Sequence, residues 1–161
     1  MAVRRPLEVE RELLEAFAHN GQVTAYLVGA LPTRIWRAQP PGGEGRTIAA
    51  IVAHMQSVRR TFAKMGGARP SPSLDRLRST PAQARRALKQ SNDELTALFR
   101  TALDSHQARV RAMPRRVVNM MLYLVQHEAH HRGQISMLAH AMGYRFPQEV
   151  IMRIWGWKKL P

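Results

Sequence analysis

The stretch that most constrains the fold lies between about Arg115 and Met142, because it contains no proline and a single glycine. Side chains that can share one helix face recur there at steps of three and four residues. The members of this stripe are Met120, Tyr123, Leu124, His127, His131, Gln134, Ile135 and Leu138. Gly143 follows as a natural helix-ending residue. The stretch therefore predicts a long helix whose largely apolar face points into a bundle.

Three further segments are expected to supply the other helices. The first is predicted from about Pro6 to Val28, with Pro6 in its first turn and acidic residues near its start. The second is predicted to begin at an N-cap, Thr47, and the third at the capping box formed by Thr80 and Gln83. Their apolar stripes are Ile48, Ile51, Met55, Val58 and Phe62 in the second and Leu88, Leu95, Phe99 and Ala102 in the third. Since no segment shows strand alternation, the prediction is an all-α, four-helix bundle.

The connections support one domain over residues 1–161. Residues 39–45, QPPGGEG, are a loop because they hold two prolines and three glycines. Residues 65–73, MGGARPSPS, end the second helix, and the connection up to residue 80 is about 15 residues long, enough to return along a bundle. The second and third helices therefore need not be antiparallel neighbours. The aromatic-rich tail, residues 144–161, is expected to strap the end of the bundle or to form a short helix.

The chain has no cysteine, which excludes disulfides, cysteine-ligated metal sites and a cysteine nucleophile. Any thiol chemistry must use a thiol that arrives with a substrate. No apolar run approaches the roughly 20 residues of a membrane span. The start of the sequence, MAVRRPLEVE, shows no apolar signal segment, so the expected location is the cytoplasm.

Positive charge is concentrated in residues 59–89, which carry nine Lys and Arg side chains and one acid, Asp75. Such a field attracts anions, including nucleic acid. Only Phe62 offers an aromatic ring for base stacking, and no nucleic-acid-binding motif is evident. A solvated basic face is therefore the favoured interpretation, and a DNA-associated protein is the alternative.

The nine residues 127–135, HEAHHRGQI, hold the candidate functional side chains. His127 and His131 lie one helical turn apart, about 6 Å along the axis, so both Nε2 atoms can reach one metal ion at about 2.1 Å. The alternative is a pair of buried, hydrogen-bonded, neutral rings. A catalytic site needs a third ligand, and His54 on the border of the second helix's apolar face is the best candidate. His130 is taken as flanking, and three further histidines are weak candidates: His19, His106 and His140.

His127, Glu128 and His131 also match the HExxH pattern of zinc peptidases, with Glu149 as the third ligand eighteen residues after His131. Glu128 would then be the general base. Against this, the chain offers no strand to hold an extended peptide, and Glu149 lies beyond Gly143 in the tail. Glu128 is therefore only a weak catalytic candidate, and an exposed ion pair with Arg132 is the favoured role. A di-iron carboxylate bundle is rejected, because the second and third helices contain only Glu94.

Four segments, in order and spacing, resemble the DinB family of damage-inducible-type bacterial proteins. They are TIAAIVAHM at 47–55, HEAHHRGQI at 127–135, GYRFP at 143–147 and IWGWKKL at 154–160. The resemblance implies a four-helix bundle in up-down-down-up order and a metal site of three histidines. Matched position by position, these ligands are His54, His127 and His131. It also implies a divalent ion, with zinc or nickel favoured, and frequent homodimers.

Characterised members of that family include metal-dependent transferases of low-molecular-weight thiols such as bacillithiol and mycothiol. The implied mechanism is that the ion lowers the pKa of a bound thiol, whose thiolate attacks an electrophilic small molecule. Tyr123 and Gln134 are expected to support the ligands from behind. The basic run 59–89 could attract an anionic thiol. A bundle that binds metal without catalysis, or binds no metal, remains the alternative.

Overall fold

A computed structural model describes residues 8–161, and these residues form six helices and no strand. The helices are α1 (Val9–Gly29), α2 (Thr33–Trp36), α3 (Ile48–Met65), α4 (Pro81–Asp104), α5 (Val117–Ala141) and α6 (Gln148–Ile154). The all-α prediction is confirmed. The predicted start of the first helix at Pro6 lies outside the described residues. The four-residue α2 was not predicted from the sequence.

Local signals fix the predicted helix ends. The Thr47 hydroxyl accepts a hydrogen bond from the Ala50 amide, and Thr80 forms a complete capping box with Gln83. Gly143 has a positive φ of 74°, which an L side chain rarely adopts. Two backbone bonds close this end of α5 as a Schellman motif, one from the Gly143 amide to the His140 carbonyl and one from the Tyr144 amide to the Ala139 carbonyl. All three ends were predicted from the sequence.

Four long helices pack around a shared interior, with α1 and α3 each packed against both α4 and α5. The apolar core has two parts. One surrounds Trp36, Ile48 and Leu88, and the other includes the edge-to-face pair Phe17 and Phe99, whose ring centroids lie 5.1 Å apart. The buried polar side chains Asn20, Thr24, Arg59, Ser91, Asn92 and Glu128 occupy positions between these two parts along α1, α3, α4 and α5. A polar layer therefore crosses the middle of the helical core.

The connections are pinned to this core by side chains. The Trp36 indole is fully buried and donates to the Ser79 carbonyl at 2.7 Å. After α5, the Tyr144 hydroxyl donates to the Ala30 carbonyl at 2.8 Å, and α6 packs against α1. The tail thus contains the short helix that the sequence suggested. Within residues 8–161, every helix is too short or too polar to cross a lipid bilayer.

Candidate metal centre

Three imidazoles converge where α3 faces α5. The Nε2 atom of His127 lies 3.2 Å from that of His54 and 3.1 Å from that of His131. Among the described residues, these three form the one group of potential ligands whose donor atoms lie within 4.8 Å of one another. His127 and His131 come from successive turns of α5, whereas His54 comes from the seventh position of α3. The structure thus brings together the three histidines that the sequence proposed as ligands.

Neighbouring side chains contact two of the imidazole rings and support their orientation. The Nδ1 of His131 lies 2.7 Å from Oε1 of Gln134, which can only accept, so this ring nitrogen carries the proton. The Nε2 of His131 is then left with a free lone pair. The Tyr123 ring stacks on His127 at a centroid distance of 6.0 Å, and the Arg115 guanidinium covers that tyrosine ring. Both residues expected to support the ligands therefore contact them.

Burial and mutual repulsion keep the three rings neutral. The pKa of His127 is lowered from 6.5 to about 4, first by burial and then by the neighbouring rings of His131 and His54. Burial is also the main cause of the lowered pKa of His54 and of His131, and the charge of Arg46 acts on both in the same direction. Neutral imidazole is the form that binds a metal ion.

The donor set fits a divalent cation. His131 presents a lone pair at Nε2, and His127 carries at most one proton there, so hydrogen bonds alone cannot satisfy both close Nε2 contacts. Two ligands of a tetrahedral zinc ion at 2.0–2.1 Å are about 3.4 Å apart, close to the 3.1 and 3.2 Å seen here. One cation among the three rings would satisfy all three lone pairs. Three imidazoles are also the ligand number of catalytic zinc sites, which keep a position open.

Glu128 does not lie where the HExxH pattern requires it. It is 1% exposed, and its carboxylate accepts from Arg59, Asn20 and Thr24 in the polar layer. The expectation of an exposed ion pair with Arg132 is wrong, since that guanidinium is 4.0 Å from the buried carboxylate and donates to Asn20 and Thr24. The hydrogen bonds that this carboxylate accepts come from α1 and α3, and the hydrogen bonds of the three histidine rings do not reach it. The role of general base at this metal site therefore has no support.

The buried state of Glu128 could have been recognised from its spacing. Leu124, Glu128, His131 and Ile135 follow one another at steps of four, three and four, and all four are buried. This is the narrow stripe that faces a packed bundle most directly. His127 lies at its edge and is only partly buried. The sequence instead favours a surface ion pair with Arg132, four residues later, because nothing in it shows that Arg59 meets the carboxylate.

The other candidate residues lie outside the cluster. His130 is exposed, with its ring beside that of His131. His19, His106 and His140 are also exposed. Glu149 is paired with Arg153 and Lys158 around α6, at 2.7 Å from each. None of these five residues belongs to the described metal-ligand group.

The basic run 59–89 is not a single surface. Arg59 is 1% exposed and belongs to the buried polar layer, so counting it on a solvated face is wrong. Arg85, Arg86 and Lys89 line a groove between α1 and α4, whereas the histidines lie between α3 and α5. Arg85, Arg86 and Lys89 are exposed, as a solvated basic face predicts. This part of the run faces a different pair of helices from the candidate metal centre.

A pocket of about 370 Å³ opens onto the candidate metal centre. His131 and Gln134 of the centre line this pocket, and the other lining residues are Pro40, Glu44, Gly45, Arg46, Ile51, Met137 and Leu138. Arg46 is exposed and makes no ion pair with another described residue. The loop before α3, for which the sequence predicts only a connection, thus contributes a cation beside the histidines, and α3 and α5 contribute the apolar side chains Ile51, Met137 and Leu138.

The comparison with protein families covers most of the chain. The model of the DinB family matches residues 4–153. None of the curated proteins compared with the chain matches it.

Proposed function

The chain belongs to the DinB family, and on that premise we propose that it is a metal-dependent enzyme that transfers a low-molecular-weight thiol to an electrophilic small molecule. The observation that carries the proposal is the convergence of three Nε2 atoms, from His54, His127 and His131. Zinc and nickel are the favoured ions because both accept imidazole ligands. A bundle that binds metal without catalysis is the competing possibility.

A divalent ion held by three imidazoles would supply Lewis acidity, which lowers the pKa of a thiol bound at an open position. The chain's own residues prepare the site for it. The lowered pKa values keep His54, His127 and His131 neutral at neutral pH, so protons do not compete for the lone pairs. Gln134 fixes the orientation and tautomer of His131. No cysteine of the chain can occupy the ion in place of the co-substrate thiol.

The pocket at the centre indicates the kind of thiol. Arg46 is an exposed side chain that lines this pocket, and guanidinium binds carboxylate in two-point geometry. We therefore assign the attraction of an anionic thiol to Arg46 and not to Arg85, Arg86 and Lys89 of the run 59–89. Ile51, Met137 and Leu138 offer apolar surface for the electrophile beside it. Glu44, which lines the same pocket, favours a thiol that also carries an ammonium group.

The proposal includes the up-down-down-up order of the four long helices. Three sets of contacts support it. Phe17 meets Phe99, and Gly29 approaches Arg85, so α1 and α4 run in opposite directions. In α3 and α4, residue 59 meets residue 88 and residue 66 approaches residue 98, so these helices run in the same direction. Between α3 and α5, His54 meets His131 and Phe62 meets Tyr123, which is an antiparallel arrangement.

The proposal also includes a homodimer. Val118 and Leu122 are exposed one turn apart on α5, and the tail exposes Trp155 and Trp157. Light scattering on the purified protein measures its mass against the 18.3 kDa of one chain. A monomer at micromolar concentration would remove this part of the proposal and leave the metal site untouched.

Metal analysis tests the site. Protein purified without a histidine tag and without added metal is expected to contain about one equivalent of a divalent ion. A variant with both His54→Ala and His131→Ala should lose this ion. The control variant His130→Ala, which removes an exposed neighbouring histidine, should retain it. A wild-type protein that is free of metal and cannot be loaded with zinc or nickel would refute the proposal.

A transfer assay tests the chemistry. A small thiol and a model electrophile are incubated with the loaded protein, and loss of the thiol is followed with and without a chelator. We expect turnover that the chelator abolishes and that loading restores. Full metal occupancy with no turnover for any thiol tested would favour the non-catalytic bundle.

A further inference from the structure

We propose that the buried pair of Arg59 and Glu128 is the positioning element of the metal centre, because it sets the register between the two helices that carry the ligands. The inference rests on the proposed function and extends it to residues that do not touch the ion. Arg59 lies on α3 with His54, and Glu128 lies on α5 with His127 and His131. Neither charge takes part in the chemistry described above.

The pair is held by short contacts. The Nε of Arg59 donates to Oε1 of Glu128 at 2.7 Å, and Nη2 lies 2.6 Å from the same oxygen as an ion-pair contact without hydrogen-bond geometry. The other oxygen, Oε2, accepts from the Asn20 amide at 3.0 Å and the Thr24 hydroxyl at 2.8 Å. The third guanidinium nitrogen, Nη1, donates to the Leu88 carbonyl at 2.6 Å. Contacts from α1 and α3 thus meet on one carboxylate of α5, and α4 joins this network through the Leu88 carbonyl bound to Arg59.

This arrangement bears on the histidines through the shared helices. Arg59 follows His54 by five residues, about 7.5 Å along α3. Glu128 directly follows His127 and precedes His131 by less than one turn. Since one ligand comes from α3 and two from α5, sliding of either helix changes the distances among the three Nε2 atoms. The ion pair bridges the same two helices close to these ligands.

Apolar packing alone would hold this register weakly. The hydrophobic effect has no direction, so two apolar faces can exchange one packing for another at small cost. In any other register of α3 against α5, Arg59 and Glu128 would each be buried without the opposite charge. Burial of an unpaired charge is costly, so the ion pair strongly disfavours other registers. Two apolar parts of the core lie on either side of the pair, and the pair alone joins α3 to α5 by charge among the described residues. The placement favours a role in geometry over a role in stability.

The test replaces both charges together, so that neither is left buried alone. The variant Arg59→Met with Glu128→Leu should fold, and its far-ultraviolet circular dichroism and urea midpoint are measured first. Cobalt(II) is the probe, because its visible absorption reports both occupancy and ligand geometry. We expect cobalt affinity at least tenfold weaker than in the wild type and an altered spectrum.

Leu95→Ala is the matched control. It opens a cavity in the same core from α4, which carries no ligand, so it lowers stability. Its cobalt affinity and spectrum should remain those of the wild type. If the double variant fails to fold, Glu128→Gln replaces it in the test. This variant retains the side-chain shape and the hydrogen bonds of one oxygen, and its cobalt affinity should also be weaker than that of the wild type.

The outcomes separate the two proposals. Cobalt affinity within twofold of the wild type and an unchanged spectrum in the folded double variant would overturn the positioning role alone. A cobalt affinity in Leu95→Ala that is weakened as much as in the double variant would also overturn the positioning role, because the loss of affinity would then follow from reduced stability. Absence of cobalt binding by the wild type would overturn the proposed metal site, and the positioning role with it.

Discussion

His127 couples the stability of the metal-free protein to pH. Burial and the adjacent imidazoles lower the pKa of this ring from 6.5 to about 4. Between these two values the unfolded chain binds a proton that the folded chain rejects, so the free energy of unfolding falls as the pH falls. The lowered pKa has no effect on stability above pH 6.5, and its destabilising effect grows progressively down to about pH 4.

The magnitude follows from the same pKa values. A pKa that falls from 6.5 to about 4 can lower the free energy of unfolding by at most about 3 kcal/mol. This ceiling follows because a change of one in pKa corresponds to about 1.4 kcal/mol. His127 is only partly buried, and solvent screening reduces this ceiling to about 1–2 kcal/mol. The pKa values of His54 and His131 are lowered too, so their effects have the same sign.

Urea unfolding at a series of pH values from 7.5 to 4.5 measures the effect. The metal-free wild type is compared with His127→Gln, which cannot titrate, and with His130→Gln, which removes an exposed histidine. We expect the wild type and His130→Gln to lose about 1–2 kcal/mol more than His127→Gln over this range. Parallel profiles for all three proteins would refute the reasoning, because they would mean that the folded and unfolded states bind protons equally at His127.

Added zinc should make the free energy of unfolding depend more steeply on pH. An ion at a hundred times its dissociation constant raises the free energy of unfolding by about 2.7 kcal/mol at neutral pH. This gain should decrease toward pH 4, since protons compete for the imidazole lone pairs. A zinc effect that persists in His127→Gln would place the ion elsewhere on the protein.

Three further predictions concern other parts of the chain. Arg46→Gln should raise the KM for an anionic thiol severalfold with little change in kcat, and a neutral thiol should show no difference in steady-state kinetics. Gly21→Ala should lower the free energy of unfolding by about 1–3 kcal/mol, because a Cβ there would lie 1.9 Å from Oδ1 of Asn92, as urea unfolding can measure. Thr80→Ala should cost about 1 kcal/mol by the same method through loss of the capping box, with cobalt binding unchanged.

The helices could be predicted because their signals are local. The caps at Thr47 and Thr80 and the Gly143 ending depend on residues within a few positions, and the structure has all three. The short α2 has no such signal. It is held by Trp36, whose indole bonds to Ser79 more than forty residues later, and this contact exists only in the folded chain.

The candidate ligands were identifiable for a similar reason. The spacing of His127 and His131 places both on successive turns of one helix, whatever the helix packs against. His54 is a candidate because it lies on the border of a second helix's apolar face, and the family resemblance implies the same residue. In contrast, the predictions for two charged residues are wrong. The sequence favours a surface position for Glu128 and a basic face for Arg59, and both residues are buried.

The sequence by itself thus determined the four long helices and the chemical type of the ligands, because helix periodicity, caps and residue identity act over a few positions. Only the tertiary structure decided which charges leave solvent, since a buried charge requires a partner, and Arg59 and Glu128 are 69 residues apart. It also decided that the Arg46 loop, and not Arg85, Arg86 and Lys89, faces the histidines. These are consequences of how α3 and α5 pack, and packing depends on the whole chain at once.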